Sequence, residues 1–238
     1  MRIGFVSDIH SNYEAFQKAL SLLSGENVDI ILCLGDIVGY GADPRPCIDL
    51  AKENCKICIA GNHDWAAINQ TDISYFNTYA RAAALWTRKE LRENDISYLR
   101  GLPLVCTFNQ IYLVHSTPNN PHEWNYIFSI NEAIEEFQYF DNQVCFIGHS
   151  HIPAIFCSDG SVYRDEVHLS DAKKKYLVNI GSVGQPRDRD IRLSCAIFDE
   201  EEKKIEILRE SYDVTKAVEK IKNAGLPPFL GDRLLMGV

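Results

Sequence analysis

The chain opens with an apolar run that ends in two candidate metal ligands, Arg2-Ile3-Gly4-Phe5-Val6-Ser7-Asp8-Ile9-His10. A short run of this kind is typical of a buried strand. Asp8 and His10 lie two positions apart in an extended segment, so their side chains can point the same way. Because open α/β sheets place their active sites at the carboxyl ends of strands, the stretch predicts an α/β fold with functional side chains after its first strand.

The same arrangement recurs further along the chain. Apolar runs at residues 30–34, 56–60, 111–115 and 144–147 lead into Gly35-Asp36, Gly61-Asn62-His63-Asp64, His115 and Gly148-His149-Ser150-His151. A lone histidine is more often structural than a ligand, but clustering at strand ends favours metal binding. Carboxylates, imidazoles and an amide form a mixed oxygen and nitrogen set, which suits Mn, Fe, Zn or Co. The sequence therefore predicts a metal site.

The order of these motifs resembles that of the calcineurin-like metallophosphoesterases, which are binuclear metal hydrolases of phosphate esters. The pattern is D-x-H, G-D-x-x-G, G-N-H-D, a lone histidine after a strand and G-H-x-H, and it runs from Met1 to about Asp190. The chain also looks like the small bacterial and archaeal phosphodiesterase and diadenosine-tetraphosphatase-like members. The resemblance implies a four-layer αββα sandwich of two mixed β-sheets flanked by helices.

The resemblance further implies the ligand set. The first metal would be held by Asp8, His10, Asp36 and His151, and the second by Asp36, Asn62, His115 and His149. The cofactors would be two divalent ions, with Mn as the first candidate and Fe, Zn, Co, Mg or Ni as alternatives. Two such ions can hold a hydroxide for attack on phosphorus and clamp the attacking and leaving oxygens.

His63 and Asn62 are candidate residues for the reaction itself. His63 follows the expected ligand Asn62 and cannot easily bind the same ion, which leaves it to protonate the leaving group or stabilise phosphoryl charge. Asp64 could orient His63, with Asp43 as the alternative. Asn62 is also assigned to substrate binding.

Arg187 is the candidate cation for substrate binding. The protein Ser/Thr phosphatase branch continues its second motif with an acidic residue and an arginine, where this chain has Gly39 and Tyr40. Residues 179–188 instead offer flexible backbone donors and Arg187, whose guanidinium can grip phosphate with two hydrogen bonds. The alternative is a turn with a solvated arginine, and the sequence leaves both open.

The periodicity predicts helices at about 12–24, 47–53, 130–139 and 214–223, and a long helix with a short one within 72–100. Later strands at 154–157, 162–167, 176–179, 193–198 and 204–210 are expected to form a second sheet. Residues 1–238 are expected to be one domain, with residues 225–238 a C-terminal tail. The tail is apolar at Leu230, Leu234, Leu235 and Met236, so it should pack on its own chain or on a second subunit of a homo-oligomer.

Composition limits the class of partner. The formal charge of −9 over 238 residues makes nucleic acid an unfavourable partner and disfavours a nuclease. No apolar run approaches the ~20 residues needed to span a membrane. Eight cysteines without a signal-peptide pattern fit a reducing cytoplasm, and Cys55-Lys56-Ile57-Cys58 is interpreted as structural.

These observations predict hydrolysis of phosphodiesters or nucleotide-type phosphoanhydrides, with a small phosphate ester or nucleotide as substrate. The alternatives are a phosphomonoesterase or protein phosphatase, and a non-catalytic metal-binding scaffold of the same fold. The complete ligand set together with His63 argues against the scaffold.

Overall fold

The structure, a computed structural model, describes residues 1–238. Its strands are β1 (Arg2–Val6), β2 (Ile30–Cys33), β3 (Cys55–Cys58), β4 (Val105–Phe108), β5 (Ile111–Val114), β6 (Val144–Ile147), β7 (Ala154–Cys157), β8 (Val162–Tyr163), β9 (Glu166–His168), β10 (Tyr176–Asn179), β11 (Leu193–Asp199) and β12 (Lys204–Glu210).

The α-helices are α1 (Tyr13–Gly25), α2 (Pro44–Asn54), α3 (Asn62–Ala67), α4 (Thr78–Glu90), α5 (Glu93–Arg100), α6 (Ile130–Glu136), α7 (Val214–Asn223) and α8 (Pro228–Met236). Short 3₁₀ helices lie at Pro121–Glu123 and Phe137–Tyr139. No helix is long and apolar enough to cross a membrane.

The strands form two mixed six-stranded sheets. The order of the first is β3-β2-β1-β11-β12-β9, and that of the second is β4-β5-β6-β10-β7-β8. Strands β1, β2 and β3 run parallel, as do β5, β6 and β10, and the remaining pairs are antiparallel. Parallel neighbours deliver their carboxyl ends to one edge of a sheet, which is where the candidate site residues follow.

The two sheets pack face to face over an apolar core. Phe5 of β1 and Phe146 of β6 stack with ring centroids 3.8 Å apart at the centre of this interface. Helices α1, α2 and α5 cover the outer face of the first sheet, and α6 covers the second. The predicted four-layer αββα sandwich is therefore confirmed.

The predicted sheet membership was wrong for three of the later strands. Strand β11 pairs with β1, and β12 pairs with β11, so both extend the first sheet. The expected strand at 162–167 is divided, because β8 pairs with β7 in the second sheet whereas β9 pairs with β12 in the first. Strand pairing is set by contacts between residues far apart in the chain, which local periodicity does not report.

The C-terminal segment folds back on its own chain. Leu230 and Leu234 of α8 are buried in a cluster with Tyr40 and with α7. Leu235 and Met236 remain about half exposed, at 53% and 50%. Docking on the same chain therefore accounts for the inner face of α8, and contact with a second subunit stays a prediction for the outer face.

Candidate metal centre

The polar motifs after five strands meet at one place between the two sheets. They follow β1, β2, β3, β5 and β6, and their side chains are almost completely buried, from 0% exposed for Asp8 and His115 to 7% for Asn62. Burial of so many carboxyl, amide and imidazole groups is costly unless each finds a partner. The cluster therefore calls for a partner that binds several of these groups at once.

Three groups of side chains in the cluster could hold a metal ion. They are Asp8 with His10 and His151, His10 with Asp36 and His63, and Asp36 with His115 and His149, and within each group the ligand atoms lie within 4.8 Å of one another. Asp36 belongs to two of these groups, so its carboxylate is shared between them. These groups contain Asp8, His10, Asp36, His115, His149 and His151, which are six of the seven side chains that the sequence assigned to the metal site, and Asn62 is not among them.

Each of the four histidines that follow a strand end has one ring nitrogen held by a backbone carbonyl. The pairs are His10 Nδ1 with Val38 O at 3.2 Å, His115 Nδ1 with Leu34 O at 2.8 Å, His149 Nε2 with Trp124 O at 2.8 Å, and His151 Nδ1 with Gln185 O at 2.5 Å. A ring that donates its N–H in this way keeps the other nitrogen free as an acceptor. Such contacts orient metal-binding histidines and fix their tautomer.

Several polar atoms in the cluster are buried without a hydrogen bond. Asp8 Oδ1, Asn62 Oδ1 and His115 Nε2 have no hydrogen-bond partner in the structure. An unsatisfied buried polar atom costs about 1–3 kcal/mol, so three at one place need a common explanation. All three are electron-pair donors that suit a divalent transition metal. The residues present therefore fit the metals that the motifs imply.

The backbone at the site is also unusual. Asp8, His10, Asp36, His149 and His151 adopt φ values of +51°, +50°, +52°, +66° and +62°. Residues other than glycine rarely adopt this left-handed region, at a cost of order 1–3 kcal/mol each. Its concentration in the strand-end loops indicates that side-chain placement, rather than backbone stability, determines their conformation.

The two carboxylates are held in their ionised form. Burial by itself raises the pKa of Asp8, but its contacts with the imidazoles of His151, His115 and His10 outweigh burial and hold that pKa well below its ordinary value. The same balance, with the charge of His115 as the largest effect opposing burial, lowers the pKa of Asp36. Ionised carboxylates are the form that binds a cation.

The imidazoles divide into two classes. Burial lowers the pKa of His149 and of His151 to about 3, which keeps both rings neutral and able to bind metal. Burial also opposes charge on His115, but Asp36 and Asp8 raise its pKa to about 9. A proton on His115 thus supplies positive charge between two carboxylates, a role that a bound cation would take over.

His63 lies in the first turn of α3, a helix that the sequence analysis missed because it is short and begins inside the motif. Its ring is 5% exposed and packs against Tyr40 at 4.3 Å and Phe76 at 5.1 Å between centroids. Burial keeps its pKa well below the ordinary value, and Nδ1 has no hydrogen-bond partner. Gly39 makes room for this ring, since a Cβ there would lie 2.7 Å from His63 Nδ1.

The expectation that Asp64 or Asp43 orients His63 was wrong. Asp64 accepts backbone hydrogen bonds from Val38 at 3.1 Å and Gly61 at 3.0 Å, so both of its oxygens hold loops together. Burial and the charge of Asp36 raise the pKa of Asp64 to about 7. Asp43 instead pairs with Lys220 at 2.7 Å. His63 is positioned by aromatic packing, which a motif does not encode.

Comparison with known proteins identifies the family. Residues 1–203 match the family model described as the calcineurin-like phosphoesterase superfamily domain. The chain belongs to the calcineurin-like phosphoesterase superfamily. It is 41% identical over 242 residues to an uncharacterised protein, MJ0912, of Methanocaldococcus jannaschii, with 99% of this chain and 98% of that protein covered.

Solved structures of similar proteins share the fold of this calcineurin-like phosphoesterase. A metallophosphoesterase from Sphaerobacter thermophilus matches with a TM-score of 0.89 and 36% identity over 100% of this chain and 99% of that one. The hypothetical protein PH1004 from Pyrococcus horikoshii matches with a TM-score of 0.79 and 20% identity over 100% and 98%, and at that identity it shows the fold alone. Phosphoesterases of this superfamily depend on metals, which agrees with the fit of the buried cluster.

Arg187 lies beside Tyr40, next to the cluster. Its guanidinium is half-buried and donates to Gln185 Oε1 at 2.9 Å and to Tyr40 OH at 3.4 Å. It forms no ion pair with a carboxylate within 4.0 Å, and its charge lowers the pKa of both His63 and His151. The side chain is therefore held beside the site and is not the fully solvated arginine of the alternative.

Three residues near the cluster were missed by the sequence analysis. Tyr40 carries a left-handed φ of +53°, and Tyr126 stacks on His149 at 4.0 Å between ring centroids. Arg233 of α8 lies over the ring of Tyr40, with Cζ 5.9 Å from its centroid. The loop that carries Tyr126 could have been suspected from its aromatic and proline content, but nothing in the sequence around Arg233 signals the site.

Proposed function

We propose that the protein is a binuclear-metal-dependent phosphoesterase that hydrolyses phosphodiesters or nucleotide-type phosphoanhydrides. The observation that carries the proposal is the buried set of electron-pair donor atoms without a hydrogen bond, Asp8 Oδ1, Asn62 Oδ1 and His115 Nε2, in the strand-end loops of one cluster. The protein of known structure that is 36% identical is described as a metallophosphoesterase, which supports the same class of reaction.

The proposed ligands divide into two sets that share Asp36. One set is Asp8, His10, Asp36 and His151, and the other is Asp36, Asn62, His115 and His149. Two divalent ions bound there, Mn first among the candidates, would lower the pKa of a shared water and polarise the phosphoryl group. The chain provides both sets in a rigid form, because backbone carbonyls fix the histidine rings.

His63 is proposed as the group that moves a proton. Burial keeps the free ring neutral, since its pKa lies well below the ordinary value. An anionic phosphate beside the ring favours its protonated form, so proton uptake would accompany substrate binding. The charged ring could then protonate the leaving oxygen or stabilise the phosphoryl charge. Asp64 contributes indirectly by fixing the backbone of Gly61 before α3.

Asn62 and Arg187 are proposed to bind the substrate. Asn62 lies at the start of α3 in a cleft that also exposes His63, Tyr75 and Tyr126. The Arg187 fork is held by Gln185 and can give two parallel hydrogen bonds to phosphoryl oxygens. Gly39 and Tyr40 occupy the positions at which protein phosphatases would place an acid and an arginine, which favours small substrates over phosphoproteins.

We also propose that the protein is located in a reducing cytoplasm and that residues 1–238 form one domain. Six of its eight cysteines, at positions 33, 47, 58, 145, 157 and 195, are buried as small core residues, which supports that location. We propose a homo-oligomer whose subunits would contact one another through the exposed Leu235 and Met236 of α8.

Turnover of a substrate panel tests the proposed function. Phosphomonoesters, phosphodiesters and dinucleoside polyphosphates are each assayed with Mn, Mg, Zn and Co on protein whose metal content has been measured. We expect metal-dependent hydrolysis of the diesters or the dinucleoside polyphosphates, strongest with Mn. Bound metal without hydrolysis of any member would instead support a non-catalytic scaffold.

A further inference from the structure

We propose that α8 supplies Arg233 to a second anion-binding subsite, which it shares with Arg187 across the ring of Tyr40. This subsite would bind a phosphate group linked to the one that reacts. The inference rests on the proposed function and narrows its substrate class to nucleotide-type molecules with at least two linked phosphates. A simple phosphodiester has no group for the subsite.

Two guanidinium groups lie against one aromatic ring. Arg187 Cζ is 5.7 Å and Arg233 Cζ is 5.9 Å from the centroid of Tyr40, distances typical of cation–π contacts. The ring itself lies 4.3 Å from His63 and 4.7 Å from His10 between centroids. The two cations are therefore within reach of a substrate whose reacting phosphorus sits at the metal centre.

Neither of these arginines has an acidic side chain as a partner. Arg192 and Arg209, by contrast, form ion pairs with Asp190 and Asp188, whereas Arg187 and Arg233 have no Asp or Glu oxygen within 4.0 Å. Burial and the charge of Arg187 lower the pKa of Arg233. Two like charges that share the ring of Tyr40 without an acidic side chain beside them repel each other, and a bound polyanion would reduce that repulsion.

The fold holds Arg233 in this position. Leu230 and Leu234 anchor α8 in an apolar cluster, and Gly231 allows it to approach α7 so closely that a Cβ would lie 3.1 Å from Val218. Arg233 Nε donates to Val238 O at 2.6 Å, which fixes the start of the fork and leaves its terminal nitrogens available. The ring of Phe229 adds a second contact at 5.8 Å.

The adjoining cleft suits the rest of a nucleotide. Tyr75 and Tyr126 line it together with Asn62 and His63, and Tyr75 is 91% exposed. An exposed aromatic ring beside a phosphate site can stack on a nucleobase, a contact worth about 1–3 kcal/mol in nucleic-acid complexes. The cleft and the paired arginines together match a base joined to more than one phosphate.

Binding of a non-hydrolysable nucleotide tests the subsite directly. The affinities of the metal-loaded protein for α,β-methylene-ADP and for AMP are measured by calorimetry in wild type and in Arg233→Gln. We expect the variant to lose about tenfold or more in affinity for α,β-methylene-ADP, while its affinity for AMP changes less than about twofold. Lys222→Gln removes a positive charge from the exposed face of α7 and should change neither affinity.

Equal weakening of both ligands, or no weakening of either, would overturn the subsite. Arg233→Lys is a second variant, which retains the positive charge but loses the guanidinium fork. Its affinity for α,β-methylene-ADP should therefore lie between those of Arg233→Gln and wild type. Thermal unfolding of each variant shows whether α8 remains docked. The binding assay does not depend on turnover. A wild type that binds α,β-methylene-ADP through Arg233 but hydrolyses no substrate would therefore refute the proposed function and leave the subsite intact.

Discussion

The inner metal centre and its rim are built in different ways. The inner side chains, from Asp8 at 0% to Asn62 at 7% exposed, are held by backbone carbonyls and by strained strand-end loops. The rim, which we define as Tyr40, Tyr126, Arg187 and Arg233, is joined by ring contacts and a few hydrogen bonds. The contrast indicates that backbone contacts fix the inner centre, whereas side chains from separate elements assemble the rim.

The difference assigns separate roles to the two regions. A fixed inner centre suits chemistry, because catalytic groups must be held close to their productive geometry. A rim carried by loop residues and by α8 suits selection of the substrate, because residues at the surface of a rigid scaffold commonly determine what binds there. Substitutions in the inner centre should therefore abolish hydrolysis of every substrate, and those in the rim should change the preference among substrates.

Asp36→Asn should have the largest effect. The change removes charge from the carboxylate shared by two candidate metal groups, so metal content and hydrolysis should fall together. We expect activity to approach the uncatalysed rate, a loss on the order of 10⁶-fold or more. Elemental analysis and turnover measure both, with the exposed Asp141→Asn as control. Two equivalents of metal with near-normal turnover would remove the bridging assignment.

His63→Ala lies at the boundary of the two regions and should have a smaller effect. The variant should keep its metal but lose about 10²–10⁴-fold in turnover of an alkyl ester, because the leaving oxygen then lacks a proton donor. A p-nitrophenyl ester needs no protonation and should suffer less. The exposed His168→Ala serves as control. Equal losses on both esters would exclude proton donation and favour an electrostatic role.

Arg187→Lys tests the rim and should have the smallest effect of the three. The lysine keeps the charge but cannot reproduce the fork that Gln185 holds. We expect kcat/KM to fall about 10–100-fold with metal content intact. Arg189→Lys, in the same loop but exposed, should be neutral. If Arg187→Ala matches wild type on both a monoester and a diester, the loop has only a structural role.

The inner centre could be predicted because each of its residues directly follows a strand. The apolar runs before Asp8, Asp36, His115 and His149 marked the strands, and the carboxyl ends of parallel strands meet at one edge. The order of motifs then resembled one family, which the comparisons confirmed. Local sequence was sufficient here, because a residue that follows a strand in the chain also lies at the end of that strand in the fold.

The rim and part of the fold could not be predicted, because their residues meet through contacts between distant parts of the chain. Arg233 reaches Tyr40 because α8 packs back across the chain through Leu230 and Leu234. Strand β11 joins the first sheet by pairing with β1, from Arg2 with Asp199 to Phe5 with Ala196. Pairing between residues so far apart in the chain depends on tertiary contacts and leaves no local signal. The role of Asp64 was mispredicted because its position next to His63 in the sequence suggested a contact between the two side chains. The oxygens of Asp64 instead accept hydrogen bonds from the backbone of Val38 and Gly61.

Anomalous diffraction from crystals grown with Mn²⁺ tests the central claim most directly. We expect two anomalous peaks about 3.5–4 Å apart, with the Asp36 carboxylate between them and His10, His115, His149 and His151 around them. We also expect Asp8 Oδ1, Asn62 Oδ1 and His115 Nε2, which lack hydrogen bonds, to become metal ligands. A single peak, or peaks outside this cluster, would contradict a binuclear centre.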